Sequence, residues 1–247
     1  LFGGIGFNQR LASFYLNDLW VYEMGSNQWT WIGGSNNYTE PGVYGTKNIS
    51  NVANKPGGRR GAVSLNDRNE KFLLFGGQGF GEVGFSGLLN DLFLFDPVTR
   101  EWLWKSGSNT TGQAGVYGSR GVPNAANFPN ARQNSMGWVD ASNNLWIMGG
   151  VNNLGSYHND LWRYNFSTNQ WTWMAGSNTT NQASVYGTKG VAAAGNTPGS
   201  RQSSAYWTDH NGNFWLFGGF GRTISSAQNG LMNDLWMFNP GTNQWTW

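Results

Sequence analysis

Few residues in this chain could do chemistry. Only two histidines occur, His158 and His210, with no His-x-His or His-x-x-x-His spacing, so no metal-binding pair forms along a strand or helix. Cysteine is absent, which removes thiolate metal sites, thiol nucleophiles and disulfides together. Asp209, Asn211 and Asn213 are spaced as in the opening of a calcium loop. However, Gly212 is misplaced and position 220 is Phe rather than Glu, so a hairpin turn is expected. Two facing carboxylates would suit glycoside hydrolysis, but Glu40 and Glu82 are the only acids in the long loops and inserts of one face. The acids that recur are Asp18, Asp91, Asp160 and Asp234, and Arg59, Arg132 and Arg201 recur with them. A charge repeated in every unit serves the unit, by bonding loop backbone or pairing between segments. All seven are therefore read as structural, and the chain as non-catalytic, with no metal and no cofactor.

The elements that place these residues come from an internal repeat. A double glycine ends an apolar run at Gly3-Gly4, Gly76-Gly77, Gly149-Gly150 and Gly218-Gly219. Asn-Asp-Leu follows at 17–19, 90–92, 159–161 and 233–235, and a Trp-x-Trp closes each unit at 29–31, 102–104, 171–173 and 245–247. Each of the three Arg stands 17 residues before a double glycine. The fixed order predicts four short strands per unit, with both indoles of Trp-x-Trp on one face. Composition agrees: 37 Gly, 32 Asn and 16% aromatics among 247 residues, with only 11% charged, oppose both a helical bundle and disorder. Four-stranded units at fixed spacing bury their faces only against one another, which is the logic of a β-propeller.

The pattern of Arg, an apolar strand ending in Gly-Gly, a strand ending in an aromatic, and then Trp resembles the kelch repeat. It is closest to the long-period kelch-like repeats of exported microbial proteins, which also carry Val-Tyr-Gly and Pro-Gly-x-Arg. The resemblance implies an all-β fold, a β-propeller of four-stranded kelch-like blades in four repeats of about 70 residues, used mostly for binding. Residues 1–247 read as a single propeller or propeller segment. The repeats are 1–58 (lacking its first, Arg-bearing strand), 59–131, 132–200 and 201–247. The central propeller of copper-radical galactose oxidases is also kelch-like. Its copper site needs a Cys-linked Tyr, which a chain without Cys cannot supply. Residues 208–215 resemble the Asp-box of sialidase propellers, itself a structural turn.

Between the last strand of one unit and the first of the next lies an insert at 32–58, 105–131 and 174–200, of 27 residues each time, always containing Val-Tyr-Gly. Constant length and pattern predict an ordered insert with its Tyr docked on a neighbour. The segments after the double glycine vary instead: 5–16, 78–89, 151–158 and 220–232. Variation in a regular array marks the face that meets a specific partner. The candidate ligand-binding residues on that face are Arg10, Tyr15, Phe80, Glu82, Tyr157, His158, Phe220 and Arg222, with Phe7, Phe14 and Phe85 nearby. Aromatics beside hydrogen-bonding groups suit a glycan or a protein partner. Tyr157→Ala with Phe220→Ala is then expected to weaken binding while leaving thermal stability nearly unchanged.

The remaining expectations concern setting and assembly. Scattered basic residues and a net charge of +2 give no footprint for nucleic acid, and no apolar run is long enough to insert in a membrane. Low charge with abundant Asn, Gly, Ser and Thr suits an extracellular or cell-surface location. Five sequons, at Asn37, Asn48, Asn109, Asn165 and Asn178, are glycosylation candidates. The missing Arg strand leaves an unpaired edge that could support self-association, with a structural subunit of an extracellular filament or coat as the alternative role. A carbohydrate-active propeller enzyme is the second alternative.

Overall fold

The computed structural model describes residues 1–7, 13–223 and 228–247, and among these there are strands and turns but no helix. The chain divides into two compact units, Leu1–Gln113 and Ala114–Trp247. Each holds two repeats.

In the first unit, Phe2–Phe7, Ser13–Glu23 and Gln28–Gly33 make a three-stranded antiparallel sheet, one strand short in the absence of an Arg segment. The second repeat is complete. Phe72–Gly79 pairs with both Arg59–Arg60 and Val63–Asn66 on one side and with Gly87–Asp96 on the other, and Glu101–Ser106 follows. In the second unit, Met136–Val139, Leu145–Met148, Leu161–Asn165 and Gln170–Ala175 form one four-stranded sheet. Ala205–Thr208, Phe214–Phe217, Leu235–Asn239 and Gln244–Thr246 form a second, and Arg201–Gln202, Phe220–Arg222 and Asn229–Leu231 form a separate three-stranded sheet. The period-2 pattern puts large side chains on alternate faces, and the sheets of each unit bury them face to face. Leu19 packs with Leu74, Phe93, Phe95 and Trp102 in the first unit. In the second, Trp138, Trp146, Met148 and Leu161 pack against Phe214, Leu216, Trp236, Phe238 and Trp245.

The double glycines earn their place by backbone conformation. Gly149 and Gly150 have φ of 66° and 93°, and the other pairs are also in the left-handed region, where a β-carbon is strained. A Cβ on Gly150 would also lie 2.7 Å from the Gln133 carbonyl oxygen. In the last two repeats the strand ends before the pair, at Met148 and Phe217, whereas in the first two it bulges at the pair and stays paired as far as Phe7 and Gly79, so the expectation that the strand ends at the double glycine is corrected there.

Beside the last three of these double glycines sits a buried ion pair. Arg132 donates from Nη1 and Nη2 to Asp160 Oδ1 and Oδ2 at 2.6 and 2.7 Å. It also donates to the carbonyls of Gly149 (2.9 Å) and Asn130 (3.0 Å). Arg59 grips Asp91, Gly76 and Gly57 in the same way, and Arg201 grips Asp234, Gly218 and Gly199. This bidentate fork is the geometry that guanidinium and carboxylate favour. Asp160 also accepts from Trp162 Nε1 (2.8 Å) and from the Tyr117 hydroxyl (2.6 Å). Asp18, in the three-stranded sheet, is half-buried and accepts from Trp20 Nε1.

The tyrosines of these networks come from the inserts. Tyr44, Tyr117 and Tyr186, each from a Val-Tyr-Gly, donate to Asp91, Asp160 and Asp234. Each insert closes on itself through a bridge: Val43 with Lys55, Val116 with Phe128, and Val185 with Thr197. It then reaches the last strand of the following blade. Ser50–Asn51 pairs with that strand at Leu103 and Trp102, Asn124 bridges to Trp171, and Ala193 bridges to Trp245. From its Val-Tyr-Gly onward, each insert thus belongs to the blade it precedes rather than to the repeat it closes. Its strand lies over what would be an open outer edge. Tyr117→Phe should cost about 1 kcal/mol, since one hydrogen bond to a buried carboxylate is lost and others remain; urea denaturation measures this directly.

Candidate functional site

In the last three repeats the variable segment follows a double glycine whose first carbonyl is held by the Arg of an Arg–Asp pair, so a buried network fixes the base of each of these loops. The candidate residues near the loop bases face inward. Tyr15 meets Phe80 edge-on at 6.0 Å between ring centroids, and Tyr157 meets Phe220 edge-on at 5.8 Å. Each pair joins two successive repeats of its unit. Tyr157 is buried, and its backbone N–H and C=O are held by the Asn181 side chain and Asn181 N–H. The expectation that Tyr157 and Phe220 are free to be removed without structural effect is therefore corrected. A ring of that size with a polar tip gains more from packing on the next blade than from standing in water.

His158 is corrected in the same way. It is 2% exposed, its N–H donates to the Gly150 carbonyl, and its C=O accepts from Arg201 N–H. Its Nε2 has no hydrogen-bonding partner among the described residues. Burial, and then the positive charge of Arg132, push its pKa down to about 4, so the imidazole is neutral near pH 7. In the other repeats the residue before Asn-Asp is Leu16, Leu89 and Met232; His158 occupies an apolar site. Glu82 is half-buried and accepts from Asn109 Nδ2 at 2.5 Å. This bond also engages the amide at which Asn109 would carry a glycan. Among the other sequons Asn37, Asn48 and Asn178 are exposed, whereas Asn165 is half-buried and closes a turn onto Ser167 and Thr168. Arg222 is half-buried on the strand Phe220–Arg222, and Arg10 lies outside the described residues.

What the loops offer to solvent lies at their tips. Phe85 is 92% exposed, with Val83 beside it across Gly84, and Phe7 follows Gly6. In the second unit Leu154 is 88% exposed before Gly155, and Leu231 is exposed after Gly230. In the second and third repeats the variable segment thus turns on an exposed apolar side chain next to a glycine, whereas Phe7 and Leu231 are the last residues of the strands Phe2–Phe7 and Asn229–Leu231. Phe7 and Phe85 are visible in the sequence as loop aromatics. Val83, Leu154 and Leu231 are not, because a search for aromatics passes over them; the signal that finds them is an apolar residue flanked by Gly within a polar loop.

Reactive groupings are absent at these tips, and among the described residues no three His, Asp or Glu side chains gather as a metal site would require. Asp209 ties its own hairpin. Its Oδ1 accepts from the N–H of Asn211 and Asn213, and its Oδ2 accepts from Trp215 Nε1, bonds that hold its carboxyl at about 2. Asp140 makes the same turn with Asn144 and Trp146.

The geometry of one repeat decides the family of the motif. Residues 142–175, from the Asp140 turn through Gly149-Gly150, Asp160 and Trp173, match the model of the Kelch motif. The repeat is a kelch repeat. Among solved structures, that of YjhT matches with a TM-score of 0.58 at 15% identity, over 99% of this chain, and this chain spans 65% of the length of that one. Among curated proteins none matches this sequence. The fold is accordingly of the all-β propeller type, with a kelch motif in its third repeat.

Proposed function

We propose that this chain is a non-catalytic recognition module that docks a protein partner on the tips of its variable loops. The observation that carries this reading is the exposed apolar side chain at two loop tips, Phe85 beside Gly84 and Leu154 beside Gly155, each loop anchored below by a buried ion pair. Large apolar groups held in solvent are costly unless they meet a partner, and a rigid base limits the entropy lost when they do. A glycan partner is less well supported, because sugar rings want flat aromatic platforms and the paired rings of Tyr15 with Phe80 and of Tyr157 with Phe220 are used between successive repeats. Low charge and abundant Asn, Ser and Thr support an extracellular or cell-surface setting for this module.

Phe85→Ser and Leu154→Ser test it. Each should lower capture of the partner from native source material by about 30-fold or more, as loss of an apolar hot spot does. The melting temperature should stay within a degree or two of wild type, since neither side chain packs on the fold. Unchanged capture with both variants would remove the loop tips as the site. A glycan-array signal that survives both changes would move the function to carbohydrate.

A further inference from the structure

The shortest variable segment, 151–158, closes on itself. Val151 bridges to Tyr157, and the Asn152 N–H pair with Ser156 is completed by Asn152 Oδ1, which accepts from the N–H groups of Leu154 (2.9 Å) and Ser156 (3.0 Å). This small hairpin carries the Leu154 tip and keeps its own shape. Three attachments hold it to the sheets. Val151 and Gln133 exchange backbone hydrogen bonds, and Tyr157 is held by Asn181. At the base, the Arg201 N–H donates to the His158 carbonyl at 3.0 Å and the Gly150 N–H donates to the Arg201 carbonyl at 2.8 Å. The third and fourth repeats therefore meet at His158.

The imidazole at this junction has no place for a second proton. Its Nε2 is buried without a partner among the described residues. The charged groups that face it are Arg132 and Asp160 of its own repeat. Both Asp160 oxygens are already taken: Oδ1 by Arg132 Nη1, and Oδ2 by Arg132 Nη2, Trp162 Nε1 and the Tyr117 hydroxyl. Four donors fill the acceptor sites of a carboxylate. On the fourth-repeat side the Arg201 guanidinium is committed to Asp234. In the insert 174–200, Tyr186 donates to Asp234 and Lys189 lies over Trp247. The strand Phe220–Arg222, whose Phe220 packs on Tyr157, adds only the cation Arg222. A proton taken from solvent makes His158 a buried cation beside Arg132, with no acceptor for the new N–H, and such a group is costly to keep inside. The neutral imidazole merely fills the space that Leu16, Leu89 and Met232 fill in the other repeats.

We infer that His158 is an acid-sensitive latch: proton uptake drives its imidazole out of the junction and frees the hairpin 151–157 from the fourth repeat, while the sheets stay folded. The left-handed Gly149-Gly150 turn, with φ of 66° and 93°, is the hinge. The hairpin can move as one piece because its internal bonds do not involve His158. What the latch controls rests on the loop-tip reading above: once it opens, Leu154 is no longer held over a fixed base, and a partner docked there is released.

Amide hydrogen exchange at pH 7 and pH 5, corrected for its intrinsic pH dependence, tests the latch without a partner. In the wild type the protection of 151–158 should fall about 20-fold between the two, the linkage expected of an imidazole at about 4 when closed and about 6.5 when open. The strand Leu145–Met148 should remain the slower to exchange at both pH values. His158→Leu, which puts in the junction the residue that stands at Leu89, should keep the protection of 151–158 nearly constant. An equal fall in both proteins overturns the inference. So does exchange of 151–158 and 145–148 at one common rate, because the whole unit would then be opening. Capture of the partner should weaken at pH 5 for the wild type and not for His158→Leu. If exchange behaves as expected but Leu154→Ser leaves capture at pH 7 unchanged, the loop-tip reading falls and the latch stands.

Discussion

Replacing Arg132 by Met should destabilise the protein by about 3–5 kcal/mol, the range found when one member of a buried ion pair is removed. The side chains of Arg132 and Asp160 are both wholly screened from water. Burial alone would raise the Asp160 carboxyl, but the Arg132 guanidinium outweighs it and holds the carboxyl well below the usual range. Without Arg132 the carboxylate keeps only the Tyr117 hydroxyl and Trp162 Nε1 among the donors described above, and the carbonyl of Gly149 keeps only the Ser135 hydroxyl. The double variant Arg132→Met with Asp160→Leu should recover much of the loss, because no charge is then left buried. Asp18→Asn is the control. That carboxylate is half-buried, and the change should cost under about 1 kcal/mol. Urea denaturation followed by tryptophan fluorescence reads all three. A single-variant loss no larger than that of Asp18→Asn would mean that packing of the sheets, and not the ion pair, holds the loop bases.

The same pair shows how far the sequence could be read. An Arg 17 residues before each double glycine and an Asp after it in three repeats predict a shared structural task, and the Val-Tyr-Gly of constant spacing predicts a docked tyrosine. Periodicity carries this information because a repeated contact needs repeated residues. The target of the tyrosine was not legible, since no local pattern says that Tyr117 will reach Asp160 rather than something nearer in its own repeat. The loop residues failed for the opposite reason. Tyr157 and His158 lie in a segment of variable length, and variability implies freedom, yet their backbones are tied to Asn181, Gly150 and Arg201. Aligning on Asn-Asp would have placed His158 in a column with Leu16, Leu89 and Met232, and a column of apolar residues marks a buried site whatever stands in it once. The tips were obscured because exposure of Leu154 depends on the turn at Gly155 (φ 70°), not on the type of Leu154 itself.

His158 should make the protein lose stability on the acid side, between about pH 6.5 and pH 4. Its imidazole is buried, and burial together with the positive charge of Arg132 holds its pKa at about 4 in the folded chain, with Asp160 opposing weakly. Unfolded, it titrates near the ordinary value of about 6.5. In the window between the two values the unfolded chain binds the proton and the folded chain does not, so stability rises with pH there. The contribution is fully present above about pH 6.5 and is lost progressively down to about pH 4. A difference of about 2.5 units corresponds to about 3 kcal/mol. Leu89 fills the same position in the second repeat and is fully buried, so His158→Leu is the matched variant: it removes the titrating group and fills the site. Stability measured by urea denaturation at several pH values should fall on acidification in the wild type and stay nearly flat over this window in His158→Leu. The two curves should differ most near pH 4, with the variant the more stable, because the carboxylates that titrate at still lower pH are common to both. Parallel curves would show that His158 is protonated and accommodated in the folded chain, and that its burial carries no cost.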